Sequence, residues 1–232
     1  MRKLKKMKNL KTAKNGSLIE TLLENLDEGK QILKLRKGTE VFSQGAEADA
    51  IYFVKSGRVT ITIAWGEVPD LAMAILGPGD FFGEGCLMGQ SLRMNTATTA
   101  EASTIVRIEK QSMLQGLNSH PEVSESFIAS MITRNIDVEE DICNQLFNDV
   151  EKRLAHVLLK LNRCGQPDSA SNAPDARLTQ LSHETLADLV GAKQTEIRHF
   201  LDKFKGLGLI DYDSKGAIVV RAELLVDTVL AV

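Results

Sequence analysis

Apolar positions along this chain follow two periods, and the change between them divides it. From about Ile32 to Ile108 they alternate or run in short blocks: Thr39-Glu-Val-Phe, Ala50-Ile-Tyr-Phe-Val, Arg58-Val-Thr-Ile-Thr-Ile, Leu71-Ala-Met-Ala-Ile-Leu and Ala102-Ser-Thr-Ile-Val-Arg-Ile. Gly38, Gly45, Gly57, Gly66, Gly77 and Gly79 fall in the intervals. Such blocks predict short strands joined by turns, and many at this spacing predict a small antiparallel barrel or jelly roll. From His120 to about Leu161 the period lengthens. Phe127, Ile128, Met131, Ile132, Ile142, Leu146, Val150, Leu154 and Leu158 recur mainly by threes and fours, which predicts helix. Asn135, Glu139 and Glu140 interrupt that stripe, so part of it is a narrow seam rather than a full core face, with Met131, Val138, Ile142 and Leu146 on it. One flank of the same helix is expected to rest on its own barrel. Phe147-Asn-Asp-Val150 reads as a hinge, and Gly165-Gln-Pro-Asp-Ser-Ala-Ser-Asn-Ala-Pro-Asp175 as a loop.

Leu181 to Leu201 reads as two short helices around a tight turn. Ser182 is a good N-cap, Glu184 suits the positive end of the first helix, and Leu186, Leu189 and Val190 form its buried stripe. Ala187 leaves room for a crossing helix, Gly191 can take the positive φ of a sharp turn, and Ile197 returns to the shared core. Two packed surface helices would explain the stripe, but not a small residue, a glycine and an aliphatic at those three offsets together. The second helix turns Lys193, Gln194, Thr195, Arg198, His199 and Lys203 outward. Long donors and amides near a helix N-terminus are the side chains that reach base edges in a major groove, and basic residues further along reach phosphates, as Lys203 would and as the Ser182 hydroxyl also can. Two β-branched runs then flank Asp213-Ser-Lys-Gly216, a hairpin signal that makes the module a winged helix-turn-helix.

Composition changes this picture little. A chain of 232 residues, 43% hydrophobic and 25% charged, is long enough for two modest domains. The net charge of -3 does not advertise nucleic-acid binding, although a local basic face and not the whole-chain balance sets phosphate contacts. Met1 to Lys14 is basic without the apolar core of a signal peptide, and reads as a solvated tail over 1–16. No run of about 18 apolar residues predicts a membrane span. Cys86, Cys143 and Cys164 are odd in number and far apart, which suits reduced thiols in a cytoplasm. No nucleophile, base and orienter stand at informative spacing and no metal motif is present, so an enzyme is not expected.

One interval of the barrel carries chemistry. Gly79-Asp-Phe-Phe-Gly-Glu-Gly-Cys-Leu-Met-Gly-Gln-Ser-Leu-Arg-Met94 sets glycines and an acid at a short helical turn, then an arginine on the returning strand. Backbone N–H groups there suit an anion, Arg93 a phosphate, and Glu84 a sugar hydroxyl. The segment resembles the phosphate-binding cassette of cyclic-nucleotide-binding domains, in which a Gly-Glu pair holds the ribose and an Arg the cyclic phosphate. Lys37-Gly-Thr-Glu-Val-Phe-Ser-Gln-Gly45, Ile51-Tyr-Phe-Val-Lys-Ser-Gly57 and Gly77-Pro-Gly-Asp-Phe-Phe-Gly-Glu84, followed by the winged module, look like the Crp/Fnr superfamily of bacterial transcription regulators.

The resemblance implies an α+β fold: a β-roll sensor domain over 17–118, a dimerisation helix and hinge over 119–150, and a winged helix-turn-helix over 151–232. It implies a homodimer, with no membrane partner, that binds a palindromic DNA operator and meets RNA polymerase. The cassette residues carried over are Gly83, Glu84, Gly85, Arg93 and Met94. Gly85 stands where leucine is usual, and the bulky Met94 where a small residue lets the backbone approach phosphate. Aligned through the hinge, the adenine-bonding Thr-Ser pair falls on Val138 and Glu139. A cyclic nucleotide is thus the implied effector class, with cyclic AMP doubtful and no other cofactor expected. A Glu84–Arg93 ion pair without ligand is the alternative. The base-reading Glu and its Arg partner fall on Thr195 and His199, so an operator unlike the family's common half-site is expected. Iron–sulfur and haem versions need cysteines in the tail or axial ligands by the barrel, and His120, His156, His183 and His199 all lie outside it. A second class stays open: a nucleotide-sensing module that docks on a partner protein.

Overall fold

Strands come first along the chain: β1 (Lys30–Leu35), β2 (Glu40–Phe42), β3 (Ala50–Ser56), β4 (Val59–Trp65), β5 (Val68–Leu76), β6 (Phe81–Phe82), β7 (Thr96–Thr99) and β8 (Ser103–Glu109). Helices α1 (Lys110–Ser119), α2 (Pro121–Phe147) and α3 (Val150–Arg163) follow. After β9 (Asp175–Arg177) come α4 (His183–Val190), α5 (Gln194–Gly206), β10 (Ile210–Tyr212), β11 (Ile218–Arg221) and α6 (Ala222–Leu225). This is a computed structural model, and it describes residues 29–66, 68–163, 175–177, 181–214 and 216–230. The basic tail over 1–16, Cys164 and all but Asp175 of the expected loop lie outside the described residues.

Contacts group the chain into two units, one of residues up to Arg58 with Pro78–Val138, the other of Val59–Gly77 with Glu139–Val232. In the first, the strands run in the order β1-β8-β3-β6, each antiparallel to its neighbour, and β2 pairs antiparallel with β7. Register sets Ile51 opposite Ile108 and Phe53 opposite Val106, so the apolar face of each strand meets the same core. Ile51, Phe53, Phe81, Cys86, Val106, Ile108, Met113 and Val123 form it. Phe127 and Met131 of α2 pack on its edge, and Phe127 meets Phe81 edge to face at 5.2 Å. Met131, expected on the seam, is partly buried against its own barrel.

The expected hinge is a real break. Helix α2 ends at Phe147 and α3 starts at Val150, where Asp149 Oδ1 accepts from the Lys152 N–H at 2.9 Å and caps the new helix. In the second unit, Leu154, Leu158, Leu186, Val190, Ile197, Leu201, Phe204, Ile218, Val220 and Leu225 form one core. The hairpin β4–β5 groups with this unit by its contacts, and Ile75 lies in that core. Asp188 Oδ2 also accepts from the Ala72 N–H at 3.3 Å. β10 and β11 form the expected wing around Asp213, and β9 adds a third antiparallel strand.

Candidate nucleic-acid interface and effector cassette

The helix-turn-helix is built as its spacing requires. Ser182 Oγ accepts from the Thr185 N–H at 3.0 Å at the start of α4. Gly191 ends the helix with φ 66 and ψ 48, a left-handed pose that a Cβ would strain. Ala187, Val190, Ile197, Leu201 and Phe204 are buried between the two helices and the rest of the core. Glu196 closes the first turn of α5 by accepting from the Lys193 N–H at 3.0 Å.

With that face inward, Lys193, Gln194, Thr195, Arg198 and His199 are all exposed along the first two turns of α5, and Ser182 is exposed at the start of α4. Lys203 is exposed one turn further but already bonds Glu151 of α3 at 2.7 Å. Sequence reasoning missed that partner because Glu151 lies 52 positions away. It also passed over Lys205, whose ammonium sits 5.2 Å from the Tyr212 ring. Burial, with help from the Asp202 charge, raises the Tyr212 phenol above its ordinary range.

The cassette departs from expectation at its two charged groups. Gly83 takes φ 74 and leads into a short 3-10 turn over Glu84–Met88. Arg93 is 4% exposed, and its terminal nitrogens donate to the carbonyls of Gly83 at 3.0 Å and Ala50 at 2.6 Å. Its guanidinium carbon lies 4.4 Å from the Phe42 ring centroid, beside Tyr52 and Phe82, and Asp49 is 3.6 Å away. Glu84 pairs not with Arg93 but with Arg134 of α2 at 3.3 Å, and Arg134 also donates to the Phe81 carbonyl at 2.8 Å. The Glu84–Arg93 ion pair is thus replaced by two separate arrangements. Arg134 was missed because a single arginine within a helical stripe reads as solvated surface.

Two observations bear on a ligand at this place. Arg93 Nε is buried without a hydrogen-bond partner, a donor that an anion in the cassette can satisfy. A Cβ on Gly83 would lie 2.6 Å from the Arg93 guanidinium, and one on Gly85 1.7 Å from the Gln90 side chain, so both glycines serve the turn's own packing. Met94 is 63% exposed. The residues fit a phosphate by charge and by this free donor. Val138, where the resemblance puts an adenine partner, is an exposed aliphatic that offers none.

Farther along α2, Ile128, Ile132, Ile136, Val138, Ile142 and Leu146 are exposed. The expected seam residues Val138, Ile142 and Leu146 thus lie open, and near Met131 the open aliphatics are Ile128 and Ile132. Cys143 on the same helix is exposed, whereas Cys86 beside the cassette is buried.

Residues 32–120 match the cyclic nucleotide-binding domain family, and residues 152–227 the Crp-like helix-turn-helix domain family. The CRP-like cAMP-activated global transcriptional regulator of Mycobacterium tuberculosis is 28% identical over 190 residues, covering 82% of this chain and 84% of that protein. The cyclic AMP receptor protein of Thermus thermophilus is 26% identical over 83% of this chain and 85% of its own. Among solved structures, FixK2 of Bradyrhizobium japonicum superposes with a TM-score of 0.71 at 18% identity, over 85% of this chain and 96% of its own. The c-di-GMP responsive global regulator CLP of Xanthomonas campestris gives 0.67 at 23% identity, over 88% and 98%. These two structures share the fold.

Proposed function

Because the chain belongs to the Crp/Fnr superfamily of bacterial transcription regulators, we propose that it works as a homodimer on a palindromic operator, with α5 of each protomer in a major groove. The chain is a DNA-binding transcription regulator. The observation that carries the finer reading is the two-sidedness of α5: Ile197, Leu201 and Phe204 are buried, while Lys193, Gln194, Thr195, Arg198 and His199 are exposed. Lys193, Gln194, Thr195 and Arg198 are the side chains that read base edges, and Ser182 and Lys203 touch phosphates. The exposed aliphatics Ile142 and Leu146 supply the two-fold seam. RNA polymerase is the protein partner that the family resemblance implies. Footprinting on operator fragments tests this: two protected half-sites about 34–36 Å apart are expected, and a single unpaired half-site would overturn the dimer reading.

The effector belongs to the cyclic-nucleotide class through its phosphate. Arg93 Nε supplies the free donor and Glu84, held by Arg134 on α2, the sugar acceptor. Occupation of the cassette therefore reaches α2 through one ion pair, and it shifts the molecule only as far as the ligand favours one arrangement of that helix. Cyclic AMP lacks an adenine partner at Val138. It is expected to change operator affinity less than about tenfold, or about 1.4 kcal/mol. Fluorescence-anisotropy titrations of operator duplex with and without saturating cyclic AMP, repeated on Arg134→Ala, decide it. A large enhancement that disappears in the variant would establish an ordinary cyclic-AMP response.

A further inference from the structure

The end of α4 must satisfy carbonyls that no helical N–H reaches, and each of the last five has a visible donor. The glycine cap takes two: the Gly191 N–H donates to the Asp188 carbonyl at 3.1 Å, and the Ala192 N–H to the Ala187 carbonyl at 3.0 Å. The other three are taken from outside the helix-turn-helix. Gln145 Nε2 donates to Val190 at 3.1 Å and more weakly to Leu189 at 3.4 Å. One terminal nitrogen of Arg153 donates to the Gly191 carbonyl at 3.2 Å, and the other reaches the Gln145 backbone carbonyl at 3.4 Å.

The donors straddle the break between α2 and α3, with Gln145 three residues before Asn148 and Arg153 in the first turn of α3. Gln145 lies between Ile142 and Leu146, the aliphatics assigned to the seam. Gly191 completes the fit, since a Cβ there would lie 2.9 Å from Gln145 Oε1. The bonds are largely exposed, so water can replace them at little cost in stability. Water cannot replace their geometry.

We propose that Gln145 and Arg153 form a clamp on the helix-turn-helix turn, fixing α5 relative to the seam end of α2 and thereby setting which half-site spacing the dimer accepts. The proposal rests on the operator-binding dimer. Both are positioning residues: neither lies on the reading face, and each acts through the backbone of Leu189, Val190 and Gly191.

The test is a set of synthetic palindromes whose half-sites are spaced at the preferred distance and one base pair either side, titrated against full-length protein. Wild type should lose at least about tenfold in affinity on either altered spacing, the scale of a mismatched site. Gln145→Glu, which keeps the size and removes the donating amide, should bind a single half-site as wild type does yet lose most of its spacing discrimination. Arg153→Ala should do the same, with melting midpoints near wild type. Discrimination retained in both variants would overturn the clamp while leaving operator binding intact. If wild type prefers no palindrome at all, the dimer reading falls and the clamp with it. Should Arg153→Ala unfold, Gln145→Glu alone decides, because it deletes no atom from the packing.

Discussion

Arg93 shows how a single side chain can serve the fold as well as a ligand. Its guanidinium is buried on Phe42, and it is the donor to the carbonyls of Gly83 and Ala50. Arg93→Ala should therefore cost about 2–4 kcal/mol of folding stability without any ligand, since it strips buried carbonyls of their donors and empties a packed site. Urea unfolding checks this, and a variant as stable as wild type would mean that these contacts contribute nothing to the fold. Cys86 gives a second check. Burial, partly offset by the Arg93 and Lys110 charges, raises its thiol above the ordinary range, so it keeps its proton where an exposed thiol ionises. Maleimide labelling near pH 8, mapped by peptide mass, should modify exposed Cys143 well before Cys86. The sequence showed that Glu84 and Arg93 share one cassette, because both fall in one short glycine-rich segment. It did not show their partners. Arg134 and Asp49 arrive from elsewhere in the chain, and pairings across 50 or 44 positions leave no periodic trace.

Among the elements, the helix-turn-helix was the most legible and the small strands the least. Ser182, Ala187, Gly191 and Ile197 each have a local steric or hydrogen-bonding reason to stand where they do, so spacing alone located both helices. Ser182→Ala should cost about 1 kcal/mol through the lost bond to the Thr185 N–H. Gly191→Ala should cost about 1–2 kcal/mol, because φ 66 is left-handed. Thermal melts read both. Strand β7, Thr-Ala-Thr-Thr, has no large apolar residue, and β6 is two residues long; each exists because a neighbouring strand supplies its hydrogen bonds. On α5, Arg198→Ala should lose discrimination at one base position at a cost of about 1–3 kcal/mol, while Lys203→Ala weakens all sequences alike. Part of the Lys203 effect belongs to its bond with Glu151, so Glu151→Gln should leave base discrimination untouched. If Arg198→Ala only scales affinity uniformly, α5 has been placed wrongly in the groove.

For the whole molecule, periodicity divided sheet from helix and found the strands of the hairpin β4–β5, but it did not show that Ile75 joins the core of the C-terminal unit. In an alternating strand an inward aliphatic reads the same whichever core it enters. The narrow stripe on α2 did forecast an open apolar face, but one helix serves two neighbours, and the sequence does not say how much of a residue such as Met131 faces each. Ile142→Asp should reduce self-association by placing a charge on the exposed aliphatic row, and sedimentation velocity should then show monomer at concentrations where wild type is dimeric. The central claim is that exposed side chains of α5 read a two-fold DNA site. Its most direct measurement is the affinity of the purified protein for a two-half-site operator duplex across a series of salt concentrations, beside a scrambled duplex of equal length. Log affinity should fall linearly with log salt on both, with the operator favoured by at least about a thousandfold. Equal affinity for the two duplexes, or no dependence on salt, would contradict it.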